Sequence, residues 1–224
     1  MSVYLKGISI AYSGVSVTLQ ITTFAVIIGI VGGFFVALGK MSKFRILRVF
    51  FTIYIEFLRG TPIVVQALLL YGGLPMLLQS YGISFRWDYP VIAGIVVCGI
   101  NSTAYVAEII RAGLQAVDKG QMEAARSLGM NHRQAMIHVV IPQAFKIILP
   151  ALCNEFITLL KETAVLSMIS IVETTRKSML WAAATFEAWP AYLGTAFVYL
   201  SITIPLSRLV AYMEKRMARN DSSK

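Results

Sequence analysis

YSGVSVTLQITTFAVIIGIVGGFFVAL, residues 12–38, carries no charged side chain. It is longer than the ~18 apolar residues that mark a membrane-spanning helix. The apolar character starts earlier, at about Ile8. The run therefore outlasts the about 7–15 residues of a signal-peptide core, and no small-residue cleavage site follows it. The N-terminus is read as a first span rather than as a cleavable signal. Gly29 and Gly33 stand in GxxxG spacing, which lets a second helix approach closely, although such a pair is also ordinary filler.

Outward from this segment the same signal recurs. Further spans are predicted at about 63–78, 89–110, 141–160 and 188–212, which makes five. An amphipathic stretch at about 50–59 leads into the second through the helix-breaking Gly60-Thr61-Pro62. Segment 161–187 is apolar but interrupted by Glu173, Arg176 and Lys177, and reads as partly re-entrant or interfacial. Irregular backbone at membrane depth has to be buried in protein. Composition agrees: 57% of the 224 residues are hydrophobic and 14% charged, against roughly 45–50% and about 25% in soluble domains. Mean hydropathy is +0.71. The expected fold is an all-α integral membrane protein with about five transmembrane helices, residues 1–224 forming a single domain without detectable repeat or linker.

A net charge of +9 would point to nucleic acid in a soluble chain. In a membrane protein it reads as the positive-inside rule, so no nucleic-acid partner is expected. One side collects Lys40, Lys43, Arg45, Arg48, Arg111, Lys119, Arg126, Arg133, Lys215, Arg216, Arg219 and Lys224; the other holds Lys6 and Arg86, joined by Arg176 and Lys177 if segment 161–187 emerges there. The N-terminus is therefore expected outside and the C-terminus inside, with Trp87, Trp181 and Trp189 near the outer boundary. Cys98 and Cys153 lie in apolar segments without metal or redox spacing, and read as packing residues.

The polar loop at about 115–142 is not built like a linker. Residues 123–128 are good helix formers, and Gly129 stands where a left-handed C-terminal cap would fall. Asn131 and Gln134 have capping-box spacing, and Pro142 then interrupts or opens the following helix. Two short helices joined at a glycine are expected across the cytoplasmic face; from the residues alone this is either an interfacial hairpin or a docking element. The pattern Glu123-Ala124-Ala125, three residues, Gly129, nine residues, Val139-x-Ile141-Pro142 resembles the EAA loop of ABC importer permeases. Val139 and Ile141 are conservative departures from that motif.

Other stretches narrow the match to the polar amino acid group, the histidine and glutamine permease type. Arg59-Gly60-Thr61-Pro62 with Gln66 is similar to its "RGTP…Q" segment, residues 100–111 resemble its third span, and residues 154–163 its fourth, where Asp commonly replaces Glu162. The resemblance implies a type I importer permease fold. It implies a bacterial cytoplasmic (inner) membrane and a second permease subunit, identical or homologous. A separate ATPase subunit that binds ATP and Mg, and an extracytoplasmic solute-binding protein, would complete the assembly. On that reading Glu123, Ala124, Ala125 and Gly129 couple the chain to the ATPase, which drives translocation of a polar amino acid.

The fourth span carries ionisable groups, which cost at least ~2.5 kcal/mol each at mid-membrane and therefore line cavities or pair with one another. Glu155 and Glu162 share a helix face, with Asn154, Thr158 and Lys161 on an adjoining stripe. These residues form either an internal ion-pair network of Lys161 with a carboxylate or a cavity receiving a zwitterionic solute. The candidate substrate set is Gln66, Asn101, Glu155, Thr158, Lys161 and Glu162. Glu56 with Arg59, and Glu108 with Arg111, each three apart, are expected to pair structurally. There is no GxxxxGK[ST], no HExxH and no GxSxG. Hence no catalytic residue, cofactor or metal is expected in this chain. The rival function is a self-sufficient secondary transporter or channel, although the inverted repeats common there are not seen.

Overall fold

The computed structural model describes residues 2–222. Of the basic cluster named above, Lys224 lies outside the described residues, as does the side chain of Arg219. Helices α1 (Val3–Tyr12) and α2 (Val15–Lys40) are joined at Ser13-Gly14, and α3 (Arg45–Gly60) follows. The second span is built from α4 (Ile63–Leu68), a π-helical turn at Leu69–Gly73, and α5 (Leu74–Ser80). Then come α6 (Pro90–Gln115), α7 (Lys119–Ser127), α8 (His132–Ala135), a second π turn (Met136–Val140) and α9 (Ile141–Glu162). A 3-10 turn (Thr163–Ile169), α10 (Thr174–Thr185) and α11 (Ala188–Ser222) complete the described chain.

Five stretches are long and apolar enough to cross a membrane, as the hydropathy pattern predicts. Their limits differ in detail. The first begins at Val3, because α1 is helical from the cap that the Ser2 hydroxyl makes with the Leu5 N–H. Helix α3 starts at Arg45, not at about residue 50. The last helix runs past residue 212.

The tightest seam is between α2 and α6. A Cβ at Gly29 would strike Ser102, one at Gly32 would lie 2.7 Å from the Thr103 methyl, and one at Gly33 would lie 2.7 Å from Val106 Cβ. Gly99 of α6 reciprocates, taking Ile28 into its surface. The GxxxG pair is thus a real contact, in which small residues bring two backbones close enough for dispersion to act. Around it Ile21, Ala25, Val97, Cys98, Leu159, Leu166 and Ile171 form a buried core shared by α2, α6, α9 and the chain that follows α9. Helix α1 packs against α11, with Gly7 facing Pro190 and Gly194 facing the Gly7–Ile8 backbone.

Segment 161–187 resolves into the 3-10 turn, a left-handed Ser170, and α10. Its irregular backbone is enclosed, as expected: Thr163, Leu166, Ile169, Ile171 and Glu173 are buried. Glu173 caps α10 by accepting from the N–H groups of Thr175 (2.8 Å) and Arg176 (2.7 Å), and it also accepts from the Tyr199 hydroxyl (3.1 Å). The Thr18 and Thr174 hydroxyls bond across to each other at 2.9 Å, fastening this segment beside the bend at Gly14.

A side chain at Gly33 has no space against α6, whereas Gly72 has nothing within 4 Å. Gly33→Val should therefore cost about 1–3 kcal/mol of packing and lower the thermal midpoint of the purified protein. Gly72→Ala should leave that midpoint close to wild type.

Candidate functional site

The loop after α6 is fixed by local hydrogen bonds. Asp118 opens α7 by accepting from the Gly120 N–H at 2.6 Å. At its end the Met130 N–H donates to the Ala125 carbonyl and the Gly129 N–H to that of Arg126, while Gly129 has φ +89°. This is a Schellman cap, and it needs glycine because a Cβ disfavours positive φ. Asn131 and Gln134 then exchange both bonds of a capping box at 2.9 Å each, opening α8. Pro142 is the second residue of α9, directly after the π turn in which the Ile141 N–H reaches back to the Met136 carbonyl, and having no N–H it ends that register. The two helices and the glycine joint are those read from the sequence. Glu123 and Ala124 are exposed, and Ala125 is buried as the seat of α7. Leu128 is 82% exposed at the tip; the sequence reading passed over it, though a leucine just before a capping glycine was the available signal.

The predicted polar residues of the spans fall in two groups. Gln66 is 5% exposed and Asn101 2%, and the Asn101 amide donates to Gln66 Oε1 at 3.0 Å. The Gln66 amide in turn donates to the carbonyls of Leu58 (2.8 Å) and Thr61 (3.1 Å) and to the Thr61 hydroxyl (2.9 Å). Gln66 thus stitches the break at Gly60-Thr61-Pro62, and Asn101 holds it there. In the second group Glu155, 8% exposed, accepts from the Ser102 hydroxyl at 3.0 Å. On the same helix Asn154, Thr158 and Lys161 are exposed, while Glu162 is half-buried. Among the described residues Lys161 forms no ion pair, so the network of Lys161 with a carboxylate is not what this structure contains. Ser102 escaped the sequence reading, though it stands in the run Asn101-Ser102-Thr103 inside a span. The Tyr54 hydroxyl lies 2.6 Å from that of Thr103, adding a further polar contact between α3 and α6.

The expected pairing of Glu56 with Arg59 is corrected by the structure. Arg59 turns away, stacking 5.3 Å from the Tyr105 ring centroid and lying 3.8 Å from Glu108. Glu108 is the shared acceptor of Arg111 (2.8 Å, as predicted) and of Lys40 (2.5 Å). One carboxylate thereby collects cations from α2, α3 and α6. A cavity of about 510 Å³ is lined by α10 and α11 residues including Arg176, Phe186 and Tyr192, and shares none of the predicted residues.

A family described as binding-protein-dependent transport system inner membrane component matches residues 29–219. The arginine transport system permease protein ArtQ of Bacillus subtilis (strain 168) is 38% identical, over 93% of this chain and 92% of its own. The probable glutamine ABC transporter permease protein GlnM of the same organism is 36% identical over 98% and 99%. A solved crystal structure of an amino acid ABC transporter with histidines superposes with a TM-score of 0.86. It is 45% identical and covers 95% of this chain and 96% of that one.

Removing the Gln66 side-chain donors would orphan the Leu58 and Thr61 carbonyls, at about 1–3 kcal/mol. Gln66→Leu and Asn101→Leu should each lower thermal stability of the purified protein. Because they share one hydrogen bond, the double variant should lose less than the sum of the two singles.

Proposed function

The chain belongs to the family of binding-protein-dependent transport system inner membrane components, and from that premise we propose that it passes a polar amino acid into the cytoplasm. The observation that carries the proposal is on α9. A buried carboxylate, Glu155, is backed by Ser102, and an exposed ammonium, Lys161, lies on the adjoining stripe with Asn154 and Thr158. Carboxylate and ammonium on neighbouring stripes of one helix are complementary to the two charges of a zwitterion. Glu155, Thr158, Lys161 and Glu162 would meet the solute, and Gln66 with Asn101 would shape the wall beside it. The names of the relatives, which speak of arginine, glutamine and histidines, favour the same solute class.

Energy would enter through the loop 115–142. Glu123, Ala124 and Leu128 present an exposed edge, and the Schellman cap at Gly129 keeps α7 and α8 in fixed relation. An edge of this kind suits a groove on a separate ATPase subunit, which would bind the ATP and Mg; this chain would hold no cofactor itself. A second permease, identical or homologous, and an extracytoplasmic binding protein complete the assembly. The N-terminus would lie outside and the C-terminus inside the bacterial inner membrane.

Uptake by the reconstituted complex from a panel of amino acids tests the reading. Glu155→Gln, normalised to purified complex, should change which amino acids are carried or how tightly, by about 10–150-fold for a lost charge-assisted contact. An unchanged profile with unchanged affinity would return Glu155 to the scaffold.

Coupling has its own test. Gly129→Val forces a branched side chain to φ +89°, a strain of about 1–3 kcal/mol. Membrane insertion should stay normal, while solute-stimulated ATP hydrolysis and uptake fall together. Orientation is checked in a background lacking Cys98 and Cys153. Ser84→Cys should react with an impermeant thiol reagent in intact cells, and Ser127→Cys should not.

A further inference from the structure

We infer that Trp87 is a positioning residue for translocation, because its indole N–H supplies the hydrogen bond that Pro75 denies to the second span. The argument starts at the π turn. There the Leu74 N–H reaches back five residues to the Leu69 carbonyl. Continuing that register, residue 75 would donate to the Leu70 carbonyl, but Pro75 has no N–H. In a bilayer such an orphaned carbonyl needs a protein donor. Trp87 Nε1 donates to the Leu70 carbonyl at 3.0 Å.

Trp87 arrives there by a defined route. Helix α5 ends in a Schellman cap: the Ile83 N–H donates to the Leu78 carbonyl, the Gly82 N–H to that of Gln79, and Gly82 has φ +76°. The following chain has no helix or strand from Ile83 to Trp87 and returns along α5 to its base. Phe85 packs edge-on against the Trp87 ring, with centroids 5.2 Å apart. The strap matters because α5 has little else to hold it. It contains no buried residue and packs chiefly against the π turn that precedes it. At its other end the second span is held by Gln66. Trp87 sets the angle of its outer half, and with it the outer end of the proposed path. The inference rests on the proposed transport function for its consequence, but not for the hydrogen bond itself.

The test uses the complete transporter in lipid nanodiscs with two readouts, amide hydrogen exchange across residues 76–83 and amino acid uptake after reconstitution. Trp87→Phe keeps an aromatic ring beside Phe85 and removes the N–H, together with part of the indole's contact area, and the rescue arm below separates the two losses. Exchange should rise by about 2–12-fold, the equivalent of one net hydrogen bond. Maximal uptake should fall, while the half-saturating solute concentration stays within about twofold, because the solute contacts are untouched. Adding Pro75→Ala returns a backbone N–H to the Leu70 carbonyl, and should reverse both effects; a ring that acted only by packing would not be rescued this way. Unchanged exchange in Trp87→Phe overturns the inference. So does a rise that Pro75→Ala leaves in place, or altered exchange with wild-type uptake. Failure of the wild-type complex to carry any amino acid would instead sink the proposed function, and the exchange comparison would still decide the hydrogen bond.

Discussion

A backbone inside a bilayer has no water to bond to, so each interruption of a helix needs a protein partner for the groups it frees. Much of this structure follows from that constraint. The chain breaks its helices at Gly60-Thr61-Pro62, at the first π turn and after α9. At each break one side chain takes up freed backbone groups: Gln66 covers two carbonyls, Trp87 one carbonyl, and Glu173 two N–H groups. Asn101 and Tyr199 in turn hold Gln66 and Glu173. Some of the polar residues of the spans are thereby committed to repairing the backbone. On α9 the Asn154, Thr158 and Lys161 side chains are exposed, with Glu155 buried beside them.

The seam between α2 and α6 solves a different problem. Lipid is as apolar as the side chains, so two helices gain little from burying one another and must instead approach closely. Glycines on both sides permit this, and the seam then ends in charge. Lys40 at the last residue of α2 meets Glu108 of α6, and Arg59 and Arg111 join it. Three cations around one carboxylate leave net positive charge at that end of the bundle. The cluster fixes the ends of α2, α3 and α6 relative to the loop that follows α6.

What the sequence disclosed and what it hid divide along a physical line. The five spans were legible because hydropathy is a property of long windows. Gly129, Asn131, Gln134 and Pro142 were legible because caps and turns act within a few residues. Gln66 and Asn101 were recognised as polar residues out of place, but not as each other's partner, because they sit on different helices. Arg59 misled for the same reason: Glu56 lies at the right local spacing, yet the guanidinium goes to the Tyr105 ring and towards Glu108 on another helix. Ser102 and Trp87 were invisible as functional groups, since a hydroxyl facing Glu155 and an indole facing Leu70 are facts of tertiary packing. Helix α10 was blurred because its apolar residues are broken by Glu173, Arg176 and Lys177.

Gly82 and Gly129 close α5 and α7 with the same left-handed turn, and nothing lies within 4 Å of where a side chain would point at either. Volume therefore does not select glycine at these positions; handedness does. A D-amino acid, for which positive φ is the relaxed geometry, would sit at both turns without strain and with room for its side chain. The two turns are thus mirror-image slots in an otherwise L-configured chain, filled by the one achiral residue available to the ribosome.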